Sequence, residues 1–422
     1  MADETTGTPL AGTILVVGGG MSGITTALEA AEVGCEVYIV EKNPYLGGRV
    51  AQLNKYFPKL CPPTCGLEIN FQRIKNNSKI KWFTLTEIES ISGGPGNYDV
   101  TLRTNPRYVN NNCTCCGKCA EECDVEISND FNFGMDKRKA AYLPHEMAFP
   151  QRYVLDPSVI GKPAAQKCKD ACTYNAIDLD DKPKTFNLKF ASIVWATGWN
   201  PYDAGKIDNL SFGKVKNVIT NMMMERLAAP NGPTKGKIQR PSDGKAVSKI
   251  AFVQCAGSRD ENHLPFCSYI CCLASLKQAT YIREANSKSK ATIFYIDLRT
   301  PGRYEKFYKK VKADANVSFV KGKVAKIEED SETKDVIITV EDIMSGKKKQ
   351  EHFDMVVLAT GMMPSTATSK VPGSSAKYDE NNFVISGDIL SAGCVKKPCD
   401  VMSSGQTATG TALKAIQTLV RR

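Results

Sequence analysis

The sequence predicts an α/β protein built from two strand–turn–helix units in tandem, with a cysteine-rich insert in the first. Three observations carry this prediction. Near the start, Thr13-Ile-Leu-Val-Val17 leads through Gly18-Gly19-Gly20-Met-Ser-Gly23 into a helical run from Ile24 to Val33, and then into a second apolar run, Glu36-Val-Tyr-Ile-Val40. Ile250-Ala-Phe-Val253 opens a comparable pattern whose next strand, Ala291-Thr-Ile-Phe-Tyr-Ile296, ends at Asp297. Two strand-like segments closing in Ala-Thr-Gly, at Ala196-Thr197-Gly198 and at Ala359-Thr360-Gly361, bracket the second unit. Short apolar runs ended by turn residues read as strands buried on both faces.

Composition bounds the function. A chain of 422 residues has room for two or three domains with their own cores. No apolar run reaches the roughly 20 residues that span a bilayer. Met1-Ala-Asp-Glu-Thr, at the head of a polar tail ending near Leu10, lacks a basic region followed by an apolar one. The expectation is therefore a cytoplasmic protein that meets a membrane only through partners. Sixteen cysteines without a secretory signal point to metal or redox chemistry rather than disulfides. With only His145, His263 and His352 available, thiolates are the main candidate ligands. The net charge of +10 comes from scattered lysines such as Lys347-Lys-Lys349 without interleaved aromatics, which reads as a solvated or docking surface and argues against nucleic acid.

In the first unit the glycine run stands between a strand and a helix, with an acidic residue ending the next strand, which is the context a dinucleotide site needs. Gly18 allows the tight turn, Gly20 lets backbone approach a pyrophosphate at the helix N-terminus, and Gly23 lets helix pack on strand. Glu41 is placed to accept hydrogen bonds from an adenosine ribose, with Lys42 beside it. Leu46-Gly-Gly48-Arg49 resembles the loop that runs under the pyrophosphate in flavin-binding proteins, which favours FAD over NAD. Cys61-Pro-Pro-Thr-Cys65 follows; its rigid spacing suits a structural or flavin-shielding role better than a redox disulfide.

After a strand-rich stretch from Ile80 to Arg103, Cys113, Cys116, Cys119 and Cys123 form the C-x2-C-x2-C-x3-C run of bacterial ferredoxins. Asp124 stands where a proline usually follows. By the same logic one [4Fe–4S] cluster takes Cys113, Cys116, Cys119 and the distant Cys172. A second cluster would need thiols where Lys162 and Ala165 stand, so Cys123 and Cys168 are left spare. Zinc is the alternative occupant.

In the second unit the turn after the strand carries Cys255-Ala-Gly-Ser-Arg259, followed by Cys267, Cys271 and Cys272, where a nicotinamide site would need a Gly-rich loop. Four thiols gathered at a strand end and a helix start suit an iron–sulfur or zinc site, and the redox setting favours iron–sulfur. Near the end, Gly393-Cys394 through Asp400-Val401 resembles the closing flavin motif, in which backbone N–H groups and a short helix start face the cofactor. The Ala-Thr-Gly segments ending at Gly198 and Gly361 resemble those at which flavoproteins with two dinucleotide-binding domains cross between domains, and are further candidates to bind the cofactor. These readings divide the chain into 12–109, 181–245 and 356–422 for the FAD-binding domain, 110–180 for a ferredoxin-like insert, and 246–355 for a second Rossmann-like domain.

The Gly18 fingerprint, the insert, the Cys255 to Cys272 cluster and the Gly393 to Asp400 closure together resemble the A-type chain of heterodisulfide reductase. The resemblance implies two Rossmann-like dinucleotide-binding domains of the thioredoxin-reductase and glutathione-reductase type, an FAD, and [4Fe–4S] clusters, two in this chain. It implies that Cys255, Cys267, Cys271 and Cys272 ligate one cluster and that Lys277 lies beside the flavin N5, where a cation favours the anionic reduced ring. The short chain, without further ferredoxin domains, is most similar to the quinone-interacting membrane-bound oxidoreductase branch found in sulfate reducers. That similarity implies a cytoplasmic complex at the inner face of the membrane. The implied partners are a second flavin and iron–sulfur subunit, a quinone-reactive haem and iron–sulfur membrane subunit, and adenylylsulfate reductase. Two other functions stay open on the residues alone: an NAD(P)H-dependent disulfide reductase using Cys61 and Cys65, and an assembly scaffold whose cofactors do not turn over.

Overall fold

The computed structural model describes residues 12–56, 59–373 and 376–420; the polar tail up to Leu10 lies outside them. The chain forms two units. The first takes residues up to Ala51, Thr64–Trp199, and those from Pro364 on; the second takes Gln52–Pro63 and Asn200–Met363.

At the centre of the first unit is a five-stranded parallel sheet, ordered Leu390–Ser391, Ser192–Trp195, Thr13–Val17, Glu36–Glu41, Ile80–Thr84. Successive residues of a strand face opposite ways. Ile14 and Val16 accordingly join the core formed with the helices Met21–Glu32 and Val401–Val420. Leu15 and Val17 join a second core under an antiparallel meander of Thr86–Gly94, Asn97–Thr104 and Lys184–Phe190. Burial on both faces explains the continuous apolar run. Each buried Val, Leu or Ile contributes about 1.5–3 kcal/mol, against a strand propensity spread of about 1 kcal/mol, so packing rather than propensity sets these strands. The insert has short elements and a small core of its own around Ala140, Leu155, Val159, Ala164 and Ile177.

The second unit holds a seven-stranded sheet, ordered Val218–Thr220, Met355–Thr360, Lys249–Ala256, Lys290–Tyr295, Val317–Glu329, Val336–Asp342, Lys347–Phe353. Pairing is parallel through Val317–Glu329 and antiparallel beyond it. The basic triplet Lys347-Lys348-Lys349 lies exposed on the edge strand, where charge discourages pairing with another chain.

This division corrects the boundaries read from sequence. Residues 200–245 belong to the second unit rather than to the flavin domain, because Val218–Thr220 pairs in parallel with Met355–Thr360. Met355–Thr360 in turn is an inner strand of that sheet, flanked also by Lys249–Ala256, so the C-terminal part of the first unit begins at Pro364 and not at 356.

Candidate functional site

In the first unit, strand Thr13–Val17 delivers the chain into the glycine run, and helix Met21–Glu32 leaves it with Gly20 as an N-cap that no side chain caps. Gly18 has φ +106° and donates its N–H to Val40 O at 2.7 Å. A Cβ on it would lie 2.4 Å from Ala196 O, and one on Gly23 only 1.8 Å from Gly18 O. Backbone therefore approaches backbone here as only glycine allows. Gly20 bridges Gly47, and Gly48 lies against Gly20, so the two glycine loops meet in one cradle.

Glu41 is buried, and its carboxylate braces that cradle: Oε2 accepts from Gly19 N at 2.7 Å, and Oε1 from Asn43 N at 2.8 Å and Asn43 Nδ2 at 2.7 Å. Burial holds its carboxyl above the ordinary range against the pull of these bonds. A carboxylate has about four acceptor positions, so Oε2 retains capacity for a ribose hydroxyl. Lys42 is exposed. Arg49 is mostly buried, donates to Trp199 O at 3.3 Å, and lies over the Phe133 and Trp199 rings; burial lowers its pKa. Thr197 Oγ1 and Ser365 Oγ are 2.6 Å apart, and Gly198 O accepts from Ser365 N. At the closing turn Gly393 N donates to Thr407 Oγ1 at 3.1 Å, and Asp400 Oδ1 accepts from Ser403 N at 2.7 Å, next to Val401 at the start of its helix. Cys394 faces Cys399 there, at 3.6 Å between sulfurs.

The insert brings Cys113, Cys116, Cys119 and Cys172 to one recess of about 330 Å³, together with Val109, Tyr153 and Ile177. Burial and the neighbouring thiols push Cys119 up to about 12. Ala176 N donates to Cys172 Sγ at 3.4 Å. Cys115 donates instead to Gln151 O at 3.1 Å. Cys123 and Cys168 are buried away from the recess lining, with Cys168 Sγ donating to Cys119 O at 3.3 Å. Lys162 caps the helix Pro163–Asp170, in which Ala165 is buried. Asp124 pairs with Lys167 at 2.6 Å at the surface.

A recess of similar size, about 300 Å³, lies in the second unit and collects Cys255, Cys267, Cys271 and Cys272. Cys255 ends its strand at φ +56°, while Cys271 and Cys272 open the helix Cys271–Ala285. Cys271 donates to Thr360 O and Cys272 to Asp297 O, each at 3.6 Å, and Tyr269 N donates to Cys267 Sγ at 3.4 Å. Burial raises Cys255, lifts Cys272 to about 11 and holds Cys271 well above the ordinary thiol range. Ser258 and Ser268, 2.8 Å apart, pin the loop. Arg259, ion-paired to Asp297 at 2.9 Å, and Arg299 also line the recess; sequence reasoning missed both arginines. Arg259 sits only four residues past Cys255, so its nearness was available as a signal. Among the described residues no group of three or more His, Cys, Asp or Glu side chains is placed to hold one metal ion. All four thiols of each set line one recess, and a donor set made only of thiols suits an iron–sulfur cluster.

Gly361 belongs to the second unit and packs on the thiol loop, where a Cβ would lie 2.3 Å from Ser258 Oγ. Lys277 is buried in the second unit. Its side chain is 3% exposed and its Nζ is 3.0 Å from Glu225 Oε1, while it also donates to Lys55 O. Glu225 further accepts from Gln278 at 2.7 Å, Tyr281 at 3.1 Å and Asn54 N at 3.0 Å. Nothing in the local sequence marks Glu225, which lies far from Lys277 in the chain. Cys61 and Cys65 are free thiols, the first half-exposed and the second exposed on helix Pro63–Asn76.

Residues 13–60 match the family of FAD dependent oxidoreductases. The fold matches thioredoxin reductase from Lactococcus lactis with a TM-score of 0.54 at 12% identity, covering 97% of this chain and 99% of that one. It also matches thioredoxin reductase from T. acidophilum with a TM-score of 0.51 at 15% identity, covering 96% of each. Fold and cradle together define an FAD-dependent oxidoreductase of thioredoxin-reductase-like architecture.

The chain is, further, a homologue of the A-type, iron-sulfur chain of heterodisulfide reductase. It is 38% identical over 368 residues to one such iron-sulfur chain of the CoB–CoM heterodisulfide reductase of Methanopyrus kandleri, covering 85% of this chain and 55% of that protein. The corresponding iron-sulfur chain of Methanocaldococcus jannaschii is 38% identical over 363 residues, with 85% and 54% covered. The A-type chain of the H2:CoB–CoM heterodisulfide, ferredoxin reductase of Methanothermobacter thermautotrophicus is 34% identical over 406 residues, with 94% and 60% covered. The chain thus spans about half the length of these relatives.

Proposed function

We propose that this chain is an FAD and iron–sulfur electron-transfer subunit of a larger redox complex. One observation carries the reading: each of two sets of four cysteines, scattered over 60 and 18 residue positions of sequence, lines a single recess of like size. The relatives' description as iron-sulfur subunits supports it.

The chain's residues supply the following. The glycine cradle and the uncapped helix start bind a pyrophosphate, Glu41 Oε2 meets the ribose, and the closing turn from Gly393 to Val401 supplies backbone N–H groups. Burial raises the thiols of Cys119, Cys255, Cys271 and Cys272, so loading a metal cluster must displace their protons. In the second recess Arg259 and Arg299 offset the negative charge of four thiolates, and Tyr269 N–H donates to one sulfur, as Ala176 N–H does in the first. Lys277, held 3.0 Å from Glu225 Oε1, is the residue this reading assigns to the flavin ring. When bound, a flavin exchanges electrons in pairs and a cluster singly, which lets one chain convert between the two. No side chain has to act as nucleophile or general acid.

The finer reading places the complex in sulfate reduction, with the quinone pool on one side and adenylylsulfate reductase on the other, and this chain reaching the membrane through partners. Among the described residues no helix is long and apolar enough to cross a membrane. Anaerobic reconstitution should yield about one FAD and about eight irons per chain. About four irons would remove one site, and none would overturn the proposal. Co-purification from native extract decides the partners.

A further inference from the structure

Cys394 and Cys399 belong to neither thiol recess. Both are buried, and their sulfurs lie 3.6 Å apart. Cys394 sits in the turn Gly393–Val395, and Cys399 precedes the helix Val401–Val420. Ser404, in the first turn of that helix, brings its Oγ to 3.1 Å from Cys399 Sγ and 3.8 Å from Cys394 Sγ. Two cysteines buried for packing alone behave as small hydrophobes. Here a thiol and a hydroxyl are instead turned toward one sulfur. Their hydrogen bonds hold Cys399 below the ordinary thiol range, while Cys394, as the donor, is held well above it. The pair is therefore split into a thiolate-prone sulfur and a protonated one in contact, the division of labour found in exchanging dithiols. Closing the bond requires the sulfurs to approach from 3.6 Å to about 2.05 Å.

The location gives the pair a redox partner. Gly393, the residue before Cys394, packs so closely on the fingerprint helix that a Cβ would lie 2.0 Å from Ser22 Oγ. The dithiol thus adjoins the dinucleotide cradle within the first unit.

We propose that Cys394 and Cys399 form a redox-active dithiol that cycles with a Cys394–Cys399 disulfide and has the flavin of the adjacent cradle as its two-electron partner. This rests on the flavin reading of that cradle. In the oxidising direction one S–S bond forms, both sulfurs give up their protons, and two electrons with two protons pass to the oxidised isoalloxazine; the reverse reaction returns them.

The test is peptide mapping of the holoprotein equilibrated anaerobically in dithiothreitol redox buffers, then blocked with N-ethylmaleimide and cut with trypsin. Lys396 stands between the two cysteines, so trypsin separates them unless a disulfide joins the peptides. The expected result is a joined peptide pair that grows through a single two-electron transition. A reductive titration should also consume two more electrons per chain than Cys399→Ser at equal flavin content, with Cys394→Ser as the second variant if the first does not fold. Separate alkylation of both cysteines at every poise, with the flavin absorbance intact, would overturn the dithiol. Joined peptides in a protein that takes up no flavin would keep the dithiol and overturn its partner.

Discussion

The two units begin with the same device and end it differently. In the first, strand Thr13–Val17 turns through three glycines straight into helix Met21–Glu32, and would-be Cβ positions collide with backbone at 1.8 and 2.4 Å. In the second, strand Lys249–Ala256 runs into residues 257–270 before helix Cys271–Ala285 starts, and thiols replace the missing side chains. Both turns face the end of a parallel sheet, where the chain must leave a strand and where helix starts converge. The comparison teaches that the scaffold supplies a place, and the turn residues decide what binds there: bare backbone for a phosphate, soft sulfur for a metal cluster.

Single substitutions should affect the two turns separately. Cys271→Ser should remove the second recess's metal outright, lowering iron from about eight to about four per chain and leaving the flavin spectrum unchanged; iron assay with absorbance checks both. Flavin loss in that variant would mean the two turns are not separate sites. Lys277→Met leaves Glu225 charged and buried, which should cost about 3–5 kcal/mol in denaturant unfolding, with part regained in the double variant Lys277→Met, Glu225→Gln. Gly23→Ala must push Gly18 O away from its own new Cβ. We expect about 1–3 kcal/mol of lost stability and weakened flavin retention, with iron in the second recess intact. At the small end, Asp124→Ala breaks only the surface pair with Lys167 and should leave the melting temperature and iron content unmoved, because exposed ion pairs contribute little.

Much of this was legible in the residues. The strands Thr13–Val17 and Glu36–Glu41 appear where their apolar runs stand, and each set of four cysteines lines one recess. The packing of the second Ala-Thr-Gly segment was not legible: it repeats the first as a string, yet Gly361 packs on Ser258 and Ser268 of the thiol loop, because identical tripeptides acquire their neighbours from the sheet they leave. Residues 200–245 were equally opaque: Val218–Thr220 is a three-residue strand, too short to carry a pattern, and is recruited by its neighbour Met355–Thr360.

Local chemistry is written directly in the residues: which turns are bare, which carry sulfur, and which runs must be buried on both faces. Those properties depend on residues close together in the chain, so spacing and apolarity express them directly. Partners across long separations come from the folded chain. Glu225 against Lys277, Arg299 beside Cys255, and Ser404 against the Cys394 and Cys399 pair are set by how strands and helices pack, and packing is a property of the whole unit that no window of sequence contains.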